Sequence, residues 1–448
     1  MTQHTTALKE STPGNPRIIR TMFFNLRAAT LLALAAAPLL AQTTTAYTAA
    51  RLFDGSGKPV IENATLIVRE GKVIAAGPAS STRAPRGAQT VNLAGKTIIP
   101  GLVNAHAHVT RVSGAPPAPD QLDANLAGQL SLYARYGITT LWSLGGEDAS
   151  APRARAAQDK PSLNRARIYF AGPVITANTP GAARKMVNDV AALKPDVIKI
   201  RVDDNLGAGR KMPPDVYKAV IDESHRLGLR VAAHIYYLDD AKDLLRSGVD
   251  FIAHSVRDRP ADDEFISLLK QRHICYCPTL TRELSTYVYE SIPAFFKDPF
   301  FLREADAALM ARLQEPERRA AMSASKPAQT YKAQLPVAMR NLKKLSDAGI
   351  RIAMGTDTGA LPERFQGYFE HLELEMMAEA GLTPVQVLRA ASGDAATCMQ
   401  RPGFTATLVP GQWADFLVLD ANPLDEIRNT RKLDSVWIAG NRVPDAQK

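Results

Sequence analysis

From Leu102 to Asp357 the chain repeats one unit, a short apolar run followed by an amphipathic one. The apolar runs are Leu102–His108, Ile138–Leu144, Ile168–Val174, Val197–Val202, Val231–Tyr236, Phe251–Val256, Ile274–Leu280 and Ile352–Asp357. Between them, Pro214–Leu227, Asp239–Arg246, Asp262–Gln271 and Val337–Ala348 carry helical spacing, and Gly228, Gly248 and Gly349 stand as stop signals. Near-continuous apolar strands separated by helices imply a parallel sheet covered on both faces. Eight such units predict an α/β fold, a (β/α)8 TIM-like barrel over residues 101–402. One interruption, 281–335, is rich in aromatics, proline and charge. It follows the seventh strand, on the face where such barrels do chemistry, and is expected to cover the substrate.

The two ends of the chain read differently. Ala46–Leu52, Ala64–Arg69, Lys72–Gly77 and Gln89–Leu93 are short alternating strands between turn signals such as Asp54-Gly55 and Glu70-Gly71. Ala414–Leu419 and Ser435–Ala439 repeat that character. Residues 42–100 and 403–448 are therefore expected to form one small β-sandwich domain together. Residues 1–41 read as a secretory signal. Met22 to Arg27 is a short basic start, and Ala28 to Leu40 is an apolar run too short to span a bilayer. Cleavage is expected near Ala41, with Met22 an alternative start, and a periplasmic or secreted product follows. No Cys directly follows the apolar run, so a lipid-anchored form and a stable membrane anchor are not expected.

The formal charge of +9 falls to +6 when the leader, with its four basic residues and one acid, is removed. No dense Lys/Arg block remains, which argues against a nucleic-acid partner. A mild positive field favours anionic small molecules. Three Cys make no disulfide framework. Cys275 and Cys277 share a strand face about 6.6 Å apart, near the limit for bridging, so all three read as core thiols, with oxidation of one pair in the periplasm as the alternative. Homo-oligomerisation stays open.

The chemistry sits at the ends of the predicted strands. Strand one closes on Asn-Ala-His106-Ala-His108, and residues i and i+2 of a strand leave the same face. Two imidazoles there make a two-point metal grip. In strand four, Ile198, Ile200 and Val202 suit the outer helices, so alternation turns Lys199 inward, where a bare cation is costly. Strands five, six and eight end near His234, His254 and Asp357. His225, His273 and His371 read as structural or unassigned.

This pattern resembles the amidohydrolase superfamily, its imidazolonepropionase-like and Xaa-Pro dipeptidase (prolidase) branch. The likeness rests on Pro-Gly-Leu-Val-Asn-Ala-His-Ala-His, on Gly-Thr-Asp-Thr at 355–358, and on Pro-Gly-Gln-Trp-Ala-Asp-Phe-Leu-Val-Leu near the end. The resemblance implies two Zn2+ per chain. His106, His108 and Asp357 would hold one ion, His234 and His254 the other, and a carboxylated Lys199 would bridge them. It implies hydrolysis of an amide C–N bond by metal-bound hydroxide, in a dipeptide or an N-acyl amino acid, with Asp357 moving the proton. An unmodified Lys199 and a single ion is the alternative.

Tyr236, on the face of His234, is a candidate to stabilise an oxyanion or bind a carboxylate, with Tyr237 competing for that role. Arg257 is a candidate carboxylate clamp, or else pairs with Asp258 or Asp262. Arg201 shares the face of Lys199. The same site suits a lactone or organophosphate ester. Deaminating relatives commonly carry Glu where this chain has Tyr237, which argues against deamination. A catalytically inactive binding protein would have lost ligands, and all six candidates are present here.

Overall fold

The computed structural model describes residues 44–110 and 117–445. The signal-like segment lies outside them. The first strands are β1 (Thr44–Leu52), β2 (Ile61–Arg69), β3 (Lys72–Pro78), β4 (Gln89–Asn92) and β5 (Thr97–Pro100). There follow β6 (Leu102–Ala107), β7 (Ile138–Ser143), β8 (Arg167–Phe170), β9 (Ile198–Arg201), β10 (Val231–His234), β11 (Phe251–Ala253) and β12 (Cys275–Cys277). The chain closes with β13 (Phe416–Leu419), β14 (Leu433–Ile438) and β15 (Asn441–Arg442).

Strands from both ends share one sheet, in the order β15-β14-β13-β5-β1-β2-β3, with β4 also on β1. The expected sandwich of two separate sheets is not what pairs among the described residues. One sheet of eight strands forks at β1 instead, whose first half pairs with β4 and whose end pairs with β5. Alternate residues, among them Tyr47, Leu66, Phe416 and Val418, fill its own core.

The middle of the chain gives two parallel sheets, β6-β7-β8 and β12-β11-β10-β9. Isolated parallel bridges join Ile175, past β8, to Ile200 of β9, and Tyr276 of β12 to Ile352 of the eighth apolar run. The expected strands overran their ends by one to four residues; β10, for example, stops at His234, so Tyr236 is past the strand. The eighth expected strand, Ile352–Asp357, forms no ladder. Ala353 N–H donates to Tyr276 and Met354 N–H to Ala390, while Thr356 and Asp357 both donate to the His106 carbonyl. Bonds divided among three neighbours cannot make a regular pairing, and Asp357 has φ +62°.

Both faces of these strands are buried, as the apolar runs require. Ile198, Ile200 and Val202 pack with Ala219, Val220 and Leu244 of the helices. Val103, Ala105, Ala232, Phe251, Ala253 and Cys277 pack together on the other face. In β6 simple alternation from Val103 and Ala105 would bring Ala107 to that inner face and carry His106 and His108 away. An irregularity in the β6–β7 register between Asn104 and Ala107 reverses the order, and Ala107 joins the helix-side core. The Asn104 side chain accepts from the His106 N–H at 2.9 Å and holds this kink. A bulge of this kind re-aims side chains at the end of a strand.

Segment 281–335 is not an irregular loop. It carries the helices Leu280–Ser285, Pro299–Leu302, Ala307–Leu313 and Pro316–Ala324, and runs into Lys326–Asp347. Tyr289, Phe296, Phe301 and Leu313 pack with Phe365, Tyr368 and Phe369 in an aromatic core of its own. The reading of three core thiols is corrected here. Cys275 bonds to Cys398 of helix Gly393–Met399, across 123 residues, and Cys277 stays a buried thiol. That partner was invisible in the local Cys275/Cys277 spacing. No helix among the described residues is long and apolar enough to cross a membrane.

Candidate metal centre

His106, His254 and Asp357 each bring one ligand atom within 4.8 Å of the others, and all three are buried. Lys199 Nζ lies 3.4 Å from His106 Nε2. His108 Nε2 is 2.8 Å from Asp357 Oδ1, and His106 Nε2 is 3.3 Å from the same oxygen. The His234 and His254 rings are 4.1 Å apart, and the His106 and His254 rings 4.4 Å. The structure thus gathers His106, His108, Lys199, His234, His254 and Asp357 in one cluster. Two of them have left-handed backbone, His254 at φ +77° and Asp357 at φ +62°. Such conformations cost about 1–3 kcal/mol for a non-glycine residue and persist where the surroundings enforce them.

The donor set suits a divalent cation. His108 Nδ1 donates to the Gly145 carbonyl at 2.8 Å, which turns its Nε2, the nitrogen available to a ligand, toward Asp357 Oδ1 at 2.8 Å. Two acceptors facing each other need a cation or an extra proton between them. His254 Nδ1 pairs with Thr279 Oγ1 at 2.7 Å, which leaves its other nitrogen for a ligand. His234 Nε2 donates to Asp203 Oδ2 at 3.2 Å, and Asp203 is itself held by Arg201 at 2.7 Å. Metal-binding imidazoles are commonly oriented by such partners. His106 Nδ1 is buried without a hydrogen-bond partner.

Burial sets the protonation states. It holds His106 and His254 well below the usual imidazole range, and His234 falls to about 3 for the same reason. All three are therefore neutral, as ligation requires. Burial lowers Lys199 to about 8, so neutral amine is available near physiological pH. Asp357 is held well below the carboxylate range. Burial works against this; Arg364 is the strongest influence that lowers it, followed by His106 and His108.

The expected substrate residues fare unevenly. Tyr236 is buried and its hydroxyl donates to Gln334 of the long helix Lys326–Asp347. Tyr237 donates to Asp204 at 2.9 Å and lies under Lys211. Arg201 does not share the interior with Lys199: its side chain is 44% exposed and turns to Asp203. Arg257 pairs with neither Asp258 nor Asp262. It is fully buried, with Nε 3.1 Å from Glu283 and Nη1 donating to the Ile235 and Ser255 carbonyls. It stacks on Tyr236 at 4.6 Å. Although its Nε and Nη2 find no hydrogen-bond partner, the guanidinium is fully buried and held by backbone carbonyls, which turns its reading from a clamp to a brace.

Several residues were not anticipated. Arg364 contacts the Asp357 carboxylate, and Arg282 is buried beside Glu283. Glu147 accepts from the Gly145 and Gly172 N–H groups and so fixes the carbonyl that orients His108. Asp203 alone had a visible signal, since it extends the alternation of Lys199 and Arg201. The others depend on contacts between distant segments.

Comparison with known proteins agrees with this geometry. Residues 97–443 match the amidohydrolase family. An uncharacterized protein of Mycobacterium tuberculosis is 27% identical over 337 residues, covering 72% of this chain and 80% of that protein. Imidazolonepropionase of Deinococcus radiodurans is 26% identical over 411 residues, covering 86% and 93%. The crystal structure of a Xaa-Pro dipeptidase with methionine bound in its active site has a TM-score of 0.71 at 18% identity, covering 89% of this chain and 99% of that one. The chain belongs to the amidohydrolase family, and it is a hydrolase acting on carbon–nitrogen bonds.

Proposed function

We propose that this chain is an exported, metal-dependent hydrolase that cleaves the amide bond of a dipeptide or an N-acyl amino acid. The observation that carries the reading is the convergence of four neutral or neutral-capable imidazoles, Asp357 and Lys199 in one buried cluster. We assign two zinc ions, with His106, His108 and Asp357 around one and His234 and His254 around the other. Ions held there lower the pKa of bound water and polarise a substrate carbonyl. Lys199 supports the bridging assignment, because a buried amine lowered to about 8 is neutral often enough to attack CO2. The product carbamate exchanges a buried cation for an anion, and the released proton leaves to solvent.

Asp357 is assigned the proton transfer, from the attacking water to the leaving nitrogen. Tyr236 and Tyr237, just past His234, are assigned to the substrate's side of the site, and Arg201 to holding Asp203 against His234. Arg257 braces Tyr236. The methionine bound in the Xaa-Pro dipeptidase supports a substrate carrying a carboxylate. The bridges Ile175 to Ile200 and Tyr276 to Ile352, and the hydrogen bond from Ala105 to Met354, support a closed (β/α)8 barrel over residues 101–402. Residues 42–100 and 403–448 then form the second domain, and segment 281–335 covers the mouth. The Cys275–Cys398 disulfide supports export, since such bonds persist in oxidising compartments.

The test is a library of dipeptides, N-acyl amino acids, lactones and phosphotriesters, offered to the zinc-loaded protein before and after chelation. Release of amino acids that stops on chelation is expected. Turnover of lactones or phosphotriesters alone would replace the amide reading, and activity indifferent to chelation would end the metal assignment.

A further inference from the structure

The wall beside the metal cluster holds more positive charge than its own acids balance. Arg257, Arg282 and Arg364 are all buried there, at 0%, 6% and 7% exposure. Arg257 and Arg282 share one oxygen of Glu283, Oε2, at 3.1 and 2.9 Å. A buried carboxylate thus answers two guanidiniums. Among the described residues Arg364 is ion-paired only with Asp357, the carboxylate that the hydrolase reading gives to a metal. Its Nε donates to Ser285, a neutral group. Buried charges are costly unless paired.

The three arginines are not equivalent. Arg257 is fixed by two carbonyls and by stacking on Tyr236 and Tyr331. Arg282 rests on the Tyr331 ring at 4.6 Å; its buried Nε has no hydrogen-bond partner, as is also true of the Arg257 Nε and Nη2, and what separates the two is the pair of backbone carbonyls that holds Arg257. Its charge acts on His234, Asp357 and Arg364, so it lies close to the assigned ligands. Arg282 belongs to helix Leu280–Ser285 and Arg364 to the loop after Asp357, so two separate segments bring their charges to one place.

We infer that Arg282 and Arg364 form the pocket that takes the substrate's carboxylate; this rests on the hydrolase reading above. A single carboxylate supplies the missing negative charge and presents two oxygens to two guanidiniums, the pairing that planar N–H donors favour. In metal-free protein Asp357 occupies Arg364. Asp357 meets Arg364 through Oδ2 and the histidines through Oδ1, so an ion held at Oδ1 would share this carboxylate's charge and leave Arg364 less satisfied; metal and substrate carboxylate are then expected to bind cooperatively.

Calorimetry on the full zinc-loaded chain tests this, with N-methanesulfonyl-L-methionine, which lacks a scissile N-acyl carbonyl, and its neutral carboxamide as probes. The acid is expected to bind at least tenfold more tightly than the amide, and to lose that advantage in metal-free protein. Arg364→Gln and Arg282→Gln should each remove the preference, and Arg364→Lys should keep part of it. Zinc content and melting temperature report whether a variant is intact; should Arg282→Gln fail to fold, the Arg364 pair decides alone. Equal binding of acid and amide by wild type, no binding of either, or an undiminished preference in Arg364→Gln overturns the inference. Inorganic phosphate displacing the acid at equal affinity would also overturn it, in favour of a general anion site. A protein that shows the arginine-dependent preference but hydrolyses no N-acyl amino acid or dipeptide would keep the pocket and lose the proposed reaction.

Discussion

Asp357 meets two demands at once, as a carboxylate facing His106 and His108 and as the partner of Arg364. Asp357→Asn keeps its size and removes its basicity. It should lower kcat by roughly a hundredfold or more, the scale of general acid–base catalysis; an unchanged kcat would remove Asp357 from proton transfer. Thr279 acts one shell further out. Its hydroxyl meets His254 Nδ1, and Thr279→Val should weaken metal affinity roughly 10- to 100-fold, measurable by competition with a chelator. Arg257 should behave as a structural residue. Arg257→Met leaves the Ile235 and Ser255 carbonyls without their donor in a buried site, although Arg282 still pairs with Glu283. This should cost about 1–3 kcal/mol of stability, while KM for charged and neutral substrates shifts alike. A KM rise confined to carboxylate-bearing substrates would restore it as a clamp. The histidines and Asp357 were readable because strand ends recur at regular intervals. Arg257 was misread because its neighbours in sequence, Asp258 and Asp262, are not its neighbours in space.

Helix Leu280–Ser285 shows how the site and its supporting elements depend on each other. Thr279 stands where a capping residue belongs, but its φ is +51° and its hydroxyl is turned to His254. The orphan N–H groups of Leu280 and Thr281 are taken instead by Glu373 from helix Tyr368–Glu379, at 2.8 and 2.7 Å. Burial pushes the Glu373 carboxyl up to about 7. A carboxyl raised on folding contributes stability that is complete below its unfolded value, near 4.5, and fades as pH rises through 7. Stability of the wild type relative to Glu373→Gln, which imitates the protonated acid, should therefore fall between pH 5 and pH 8, by an amount on the order of 2–3 kcal/mol. Chemical denaturation at the two pH values checks this, and parallel pH profiles would refute it. No local pattern announces a cap supplied from 90 residues away. The β6 bulge was equally hidden, since alternation alone cannot say which face of Val103-Asn104-Ala105-His106 will be inward. The eighth apolar run was legible as buried and extended, though not as a segment that divides its hydrogen bonds among three partners.

At the scale of the whole molecule, the order of apolar and amphipathic runs was enough to foresee parallel strands with covered faces and a sheet shared by both chain ends. The disulfide was not foreseeable, because Cys275 and Cys398 are brought together only by the complete fold. Its loop exceeds 100 residues, and the chain-entropy account gives about 4–5 kcal/mol for closing one of that size. The exported protein should accordingly show one free thiol after denaturation and lose thermal stability on reduction. Three free thiols in material recovered from the periplasm would contradict both the bond and its use as support for export. The central claim concerns the ions that the buried histidines, Lys199 and Asp357 would hold. Elemental analysis of protein grown with zinc and purified without chelators tests it most directly. About two equivalents of zinc per chain are expected, and less than half an equivalent, in protein that still hydrolyses its substrate, would contradict the account.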